Sequence, residues 1–181
     1  MSRWASLRGG DWLIRLEVEP SFEPTSSIGI LRQTLPEGNH SYRIVYRVRR
    51  ERPAATGILG SIKALICGGH SIIERTADAP AALVQTLTAQ LASLPLAELN
   101  EQPPIGLDGT TYSLFVQANG MKAWGSWWCD EPKEWRPVMS WYSATWKLLA
   151  VAVGLSLATD APEFHWEERK LGIRSVHTEP S

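Results

Sequence analysis

The chain has 181 residues, of which 44% are hydrophobic and 20% charged, and its eighteen basic and nineteen acidic side chains give a formal net charge of -1. That length accommodates one domain with its own core, and the charge balance argues against nucleic acid as the main partner, because phosphate binding needs a clustered positive excess. The N-terminus lacks the apolar run of a secretion signal, and the longest apolar stretch, 148–157, is too short to span a bilayer. We therefore expect a cytoplasmic protein with no membrane partner.

Alternation of apolar and polar residues predicts a group of strands in the first half of the chain. In 11–19, the apolar side chains from Trp12 to Val18 recur at every second position, apart from the extra Leu13. This period is typical of a strand with one buried and one solvated face. Strands are expected over 11–19, 28–35, 42–50, 61–67 and 71–75. Their order indicates an antiparallel meander.

A helix is predicted after these strands, because the apolar spacing changes from two to three and four. Asp78 is its expected N-cap, and Pro80 lies in the first turn, where a missing N–H costs nothing. The leucines from Leu83 to Leu94 form one apolar stripe, and Pro95 ends the helix.

A second hairpin is predicted around Asn119-Gly120, the pair preferred in two-residue turns that need positive φ. This turn fixes the register, which pairs Phe115 with Trp124, Tyr112 with Trp127, and Thr111 with Trp128. Trp124 and Trp128 are therefore expected on one face of the sheet and Trp127 on the other.

The last predicted element is a helix that begins after Pro137 and ends near Gly154. Its expected buried face comprises Val138, Trp141, Thr145, Leu148, Leu149 and Ala152. The order strands, helix, hairpin, helix predicts an α+β fold: a single twisted antiparallel sheet with both helices packed on one face. We expect a single domain over 1–160 and a charged, partly loose C-terminal extension over 161–181.

Four of the nine tryptophans lie in 120–135, and three of them have polar neighbours. Trp124 and Trp128 share a predicted sheet face with polar residues, and Trp135 lies in a proline-containing loop. Exposed aromatic residues cluster at binding surfaces. The predicted partner-binding set is Trp124, Trp128, Asp130, Glu131, Glu134 and Trp135.

The sequence contains no complete set of residues for a catalytic or metal-binding site. Cys67 and His70 have the spacing of half a zinc site, but a structural site needs four ligands, and Cys129 supplies no recognisable second half. Two cysteines also make no disulfide framework. We therefore predict no metal, no cofactor and no catalytic set, while Asp108 between two glycines leaves open a small hydrolase-like enzyme paired with Glu131 or Glu98.

The segments GLDGTTYSLFV and PKEWRPVMSWYSATWKLLA together resemble a group of small bacterial α+β proteins of the kind suspected to be toxin-immunity proteins. The matching positions are Gly106, Leu107, Asp108, Gly109, Tyr112, Leu114, Trp127, Pro132 and Leu148. The segment SWWCDEPKEW departs from that group in being richer in aromatic and acidic residues. The resemblance implies an inhibitor that binds and occludes a cognate bacterial toxin.

The leading hypothesis is thus a cytoplasmic immunity-type inhibitor rather than an enzyme. Its partner is expected to be a protein toxin with a basic active-site cleft, because the acidic loop complements positive charge. Three alternatives stay open: a carbohydrate-binding module that uses exposed tryptophans, an enzyme acting through Asp108, and a homodimer formed by the aromatic face.

Overall fold

The structure, a computed structural model, describes residues 11–21, 24–51, 70–96, 109–118, 120–128 and 135–158, together with Pro162 and Phe164. These residues form one six-stranded antiparallel sheet and two helices, so the α+β class is confirmed. The strands are β1 (Trp12–Pro20), β2 (Ser26–Thr34), β3 (His40–Glu51), β4 (His70–Asp78), β5 (Thr110–Ala118) and β6 (Met121–Trp128), and the helices are α1 (Ala81–Ala92) and α2 (Arg136–Ala152).

The sheet has the order β4-β3-β2-β1-β5-β6, which places the first strand near its centre. β1 to β4 pair in succession, and β5 returns to the free side of β1 with Leu114 opposite Leu16. The strand predicted over 61–67 lies outside the described residues. The hairpin β5–β6 therefore extends the sheet beyond β1, and β6 is the last described strand on that side.

A bulge in β1 explains the extra apolar residue of its sequence. Trp12 pairs with Leu31 while Ile14 pairs with Ile30, so Leu13 is the additional residue. Leu13 joins the hydrophobic core, whereas Trp12 lies beneath the guanidinium of Arg47, 5.3 Å from the ring centre. The prediction that Trp12 shares a face with Ile14 is wrong, because the bulge reverses the alternation at that point.

Register divides the sheet into two faces. The first face carries Ile14, Leu16, Ile28, Leu114 and Trp127, and the second face carries the residues between them in sequence. The first-face side chains are buried and belong to one hydrophobic cluster with buried residues of α1 and α2. Burial of apolar surface in this cluster is the main force that holds the fold together.

The first helix begins later than its sequence suggests. Asp78 is the last residue of β4, opposite Arg43, and the N-cap is Pro80, which has no side-chain oxygen to accept from the first turn. The prediction of Asp78 as the cap is therefore wrong. The buried side chains of α1 are Val84, Leu87, Thr88 and Leu91, so Leu83 and Leu94 lie at the margin of the core.

The second helix buries four of the six predicted residues, Val138, Trp141, Thr145 and Leu149, and leaves the other two exposed. Leu148 is 48% exposed and Ala152 is also exposed, whereas Met139, Tyr142 and Trp146 are buried. Three large side chains bury more apolar surface than the predicted leucine and alanine, so the helix turns towards them. Gly154, with φ of +71°, follows the helix and confirms its predicted end.

Aromatic side chains pack around Tyr142 at the centre of the core. Trp127 lies edge-on to Tyr142 at 5.3 Å, and Phe164, from the segment predicted as an extension, meets Tyr142 edge-on at 6.1 Å. The Tyr142 hydroxyl donates to the carbonyl of Glu17 at 2.7 Å. Burial, followed by the charge of nearby groups, raises the pKa of Tyr142 well above its ordinary value.

Neither helix has the length and apolar character needed to cross a bilayer, within the part of the chain that the structure describes.

Candidate interaction surface

The β5–β6 hairpin has the register predicted from Asn119-Gly120. Phe115 pairs with Trp124, Tyr112 with Trp127, and Thr111 with Trp128. Gly120 has φ of +75°, which an L side chain rarely adopts. The local turn chemistry therefore determines which face each indole occupies.

Trp127 occupies the first face and is fully buried. Its ring stacks near Tyr112 at 6.0 Å and meets Trp135 at right angles, also at 6.0 Å. Offset-stacked and edge-to-face pairs of this kind are the favoured arrangements for aromatic rings. Trp127 is thus a core residue, as the alternation predicts.

Trp124 and Trp128 occupy the second face of β6, and both are half-buried. Phe115, directly across from Trp124, is also half-buried. The guanidinium carbon of Arg15, the next residue along this row of the sheet, lies 5.3 Å from the centre of the Phe115 ring. A row of three flat groups, indole, phenyl and guanidinium, therefore crosses β6, β5 and β1.

The neighbouring row of the second face is polar and yet buried. Glu17 lies opposite Ser27 on one side and Ser113 on the other, and Ser113 lies opposite Ser126. All four side chains are buried, with Glu17 only 2% exposed. The sequence predicts a solvated face here, and that prediction is wrong for the centre of the sheet.

Arg15 and Glu17 form an ion pair within this buried region. The Nη2 of Arg15 lies 3.7 Å from Oε2 of Glu17, and the two side chains are 8% and 2% exposed. Each charge removed from water carries a desolvation penalty of several kcal/mol, and the attraction of the pair offsets it only when both partners are present. The pair therefore depends on both residues, and it holds Arg15 in position beneath Phe115.

Trp135 does not belong to this surface. It is the N-cap of α2 and only 4% exposed, packed edge-on against Trp127. The prediction that Trp135 is exposed in a loop is wrong, because its indole completes the aromatic core on the first face. Sequence alone gives no register for a residue that follows a proline-containing connection.

The acidic half of the predicted set, Asp130, Glu131 and Glu134, lies outside the described residues, as do Cys67, Cys129 and Asp108. In the described ranges, no three His, Cys, Asp or Glu side chains come together in a way that would hold a metal ion. On the second face near β6 the partly accessible aromatic side chains among the described residues are Phe115, Trp124 and Trp128, and aromatic side chains of this kind are enriched at interfaces.

Two residues of this surface, Arg15 and Phe115, are not in the predicted set. Phe115 was recognisable, because the turn-derived register already places it opposite Trp124. Arg15 was not recognisable, because a charged residue between Ile14 and Leu16 has the pattern of any solvated strand residue.

Comparison of the chain with protein-family models, with curated proteins and with solved structures finds no match in any of the three.

Proposed function

We propose that this chain is an immunity-type inhibitor that acts in the cytoplasm by binding a cognate bacterial toxin and occluding it. The observation that carries the proposal is the pair of half-buried indoles, Trp124 and Trp128, on one face of β6. In this proposal both helices cover the first face of the sheet, and the toxin docks on the second face near β6.

The two indoles have the character of interface anchors. Tryptophan is enriched among the few residues that dominate binding energy, and such residues lie in partly enclosed surroundings that exclude water on docking. Trp124 already rests beside Phe115, and Arg15 underlies that ring. A standard interface buries about 800 Å² on each partner, and a partner centred on β6 reaches both indoles.

The electrostatic part of the proposal rests on the sequence that follows β6. Asp130, Glu131 and Glu134 come within six residues of Trp128. Negative charge beside apolar anchors favours a partner with a basic cleft, because complementary fields raise the association rate and exclude wrong partners. We assign these three carboxylates to contacts with basic groups of the toxin.

The test is co-purification of the chain with the product of the neighbouring gene, followed by binding measurements on variants. Trp124→Ala and Trp128→Ala are each expected to weaken the complex about thirtyfold or more, since anchor truncations cost at least about 2 kcal/mol. Val151→Ala is the matched control, because Val151 is an apolar residue of α2 that is 58% exposed.

Reversal of the acidic residues tests the charge argument separately. Glu131→Lys is expected to slow association and to reduce its dependence on salt, with a smaller effect on dissociation. Absence of a complex, together with no protection of cells that produce the neighbouring protein, would overturn the proposal.

One observation favours a second candidate, a carbohydrate-binding module. Trp124 and Trp128 are four positions apart on one strand, which places them about 13 Å apart along it. That distance spans several sugar rings of an extended glycan. Binding on a glycan array that disappears in Trp128→Ala, without any protein complex, would select this alternative.

A further inference from the structure

A cavity of about 510 Å³ lies between α1 and the end of the sheet formed by β1, β2, β3 and the β5–β6 turn. Its volume is within the range of small-molecule sites, about 300–1,000 Å³. The cavity opens at a different part of the sheet from Trp128, at the end where β5 turns into β6.

The floor of the cavity is apolar. Leu13, Val84 and Ala118 line it, and each of the three is buried. Leu13 reaches this position because the bulge in β1 turns it into the core. A flat or chain-like hydrocarbon group therefore finds an apolar surface against which to lie.

The wall of the cavity contains a fixed cation. Arg32 donates from Nε to Oδ2 of Asp11 at 2.8 Å, which holds the guanidinium plane. That bond and the negative charge of Asp11 raise the pKa of Arg32. Tyr42 lies directly opposite Arg32 on β3 and also lines the cavity.

The rim adds a second cation and two amides. Lys122 has no acidic partner among the described residues, and Gln85 and Gln117 also line the cavity. Gln117 and Lys122 pair with each other on the second face, so the cavity is lined from both faces at the turn end of the hairpin. None of the described residues that line the cavity carries a carboxylate. Hydrogen-bond donors and two positively charged side chains thus surround an apolar floor. Asp11, which pairs with Arg32, is not among the lining residues.

We propose that this cavity is a binding site for a small amphipathic organic anion. The anionic group lies between Arg32 and Lys122, and the apolar part of the ligand rests on Leu13 and Val84. The guanidinium forms charge-assisted hydrogen bonds with the anion, which are stronger than bonds between neutral groups. The amides of Gln85 and Gln117 orient the polar edge of the ligand.

The test uses 2-naphthoate as the probe and 2-naphthamide as its neutral match, each titrated into the full chain labelled with nitrogen-15. A ligand of this size at ordinary efficiency per atom has a Kd of about 1 mM. We expect saturable shifts of the Gln85 side-chain amide and the Gly120 backbone amide with naphthoate. The naphthamide is expected to bind about fivefold more weakly or worse, because it lacks the charge.

Two variants and a control assign the site. Lys122→Gln and Arg32→Gln are each expected to weaken naphthoate binding about three- to tenfold. Arg32→Gln also removes the hydrogen bond to Asp11, which could change the stability of the fold. Lys122 is exposed, so Lys122→Gln is expected to leave the fold intact and to report on binding alone. Arg136→Gln, an exposed position in the first turn of α2, is the matched control and is expected to bind naphthoate unchanged.

The proposal is overturned by any of three results. These are the absence of saturable shifts up to about 10 mM, ten times the expected Kd, equal binding of the acid and the amide, and naphthoate affinity that survives Lys122→Gln unchanged. The two proposals are tested separately, because Trp128 does not line the cavity and Trp128→Ala is expected to weaken the toxin complex while leaving naphthoate binding unchanged.

Discussion

Truncation of two neighbouring tryptophans of β6 is expected to destabilise the fold to very different extents. Trp127 is fully buried on the first face, and Trp128 is half-buried on the second. If alternation along β6 determines their surroundings, then Trp127→Ala removes a core anchor and Trp128→Ala removes a surface group. The pair thus tests the register itself with two substitutions of identical chemistry at adjacent positions.

The magnitude follows from burial. A buried aromatic side chain removes about 150–250 Å² from water, which at about 25 cal/mol per Å² corresponds to about 4–6 kcal/mol. Substitutions of this type cost about 3–5 kcal/mol, because the cavity partly relaxes. For a chain of this length, 1 kcal/mol shifts Tm by about 2–4 °C. Trp127→Ala should therefore lower Tm by about 6–20 °C.

Trp128→Ala is expected to cost less than about 1.5 kcal/mol, since it loses a cross-strand contact with Thr111 and a partial burial term. The assay is urea unfolding followed by far-ultraviolet circular dichroism, in which the midpoint reports chiefly on loss of backbone structure. Trp127→Phe keeps an aromatic ring against Tyr142 and should lie between the two alanine variants. Equal losses, or a larger loss for Trp128→Ala, would refute the assignment of faces.

Three further substitutions test other parts of the structure. Gly29→Ala is expected to destabilise the fold by about 3 kcal/mol or more, because its Cβ would meet the Ile14 carbonyl and another backbone atom of β1, and a shift in the urea midpoint measures it. Ser27→Ala, two residues earlier on the same face, is expected to be neutral or stabilising, since the buried Ser27 hydroxyl has no hydrogen-bond partner among the described residues; a loss above about 1 kcal/mol would contradict this. Tyr142→Phe is expected to lower stability at pH 7 by about 1 kcal/mol through loss of the bond to the Glu17 carbonyl. Because burial raises the Tyr142 pKa, its contribution is present below pH of about 10 and is lost above it, so wild-type stability should fall more steeply above that pH than the stability of the phenylalanine variant.

The hairpin was predictable because its determinants are local. A two-residue turn that requires positive φ at Gly120 sets the pairing, and alternation then assigns Trp124, Trp127 and Trp128 to their faces. The first-face strand residues follow from the same alternation. These parts of the fold depend on residues that are neighbours in sequence.

The errors arise where distant residues decide the outcome. The sequence does not identify Leu13 as a bulge residue, because the bulge is defined by the pairing of Ile14 with β2. The burial of Glu17 depends on what packs over the second face. From its charge alone, Glu17 is expected to be exposed. Trp135 follows a sequence segment with no apolar periodicity, so its place against Trp127 is a property of the tertiary structure.

The second helix shows a different kind of ambiguity. Its sequence contains apolar side chains on more than one side, and both Leu148 and Trp146 fit a helical stripe. Periodicity ranks these stripes nearly equally, whereas the aromatic partners Tyr112 and Phe164 favour the one with Trp146 and Tyr142. Excluding Leu148 and Ala152 from the buried face thus required knowledge of what the sheet presents to the helix.

The buried pair of Arg15 and Glu17 connects the architecture with the proposed binding surface. Stability alone does not account for such a pair, because well-packed apolar residues of similar size are often at least as stable. Its geometric effect is specific: Glu17 holds the guanidinium 3.7 Å away, and Arg15 in turn stacks against Phe115. Phe115 is the cross-strand neighbour of Trp124, so the ion pair restricts the ring beside which that indole rests. Side chains that are already ordered lose less entropy when a partner docks, which raises affinity without adding a contact. A rigid aromatic row that crosses β1, β5 and β6 is therefore a better foundation for the proposed inhibition than the same rings on a mobile loop.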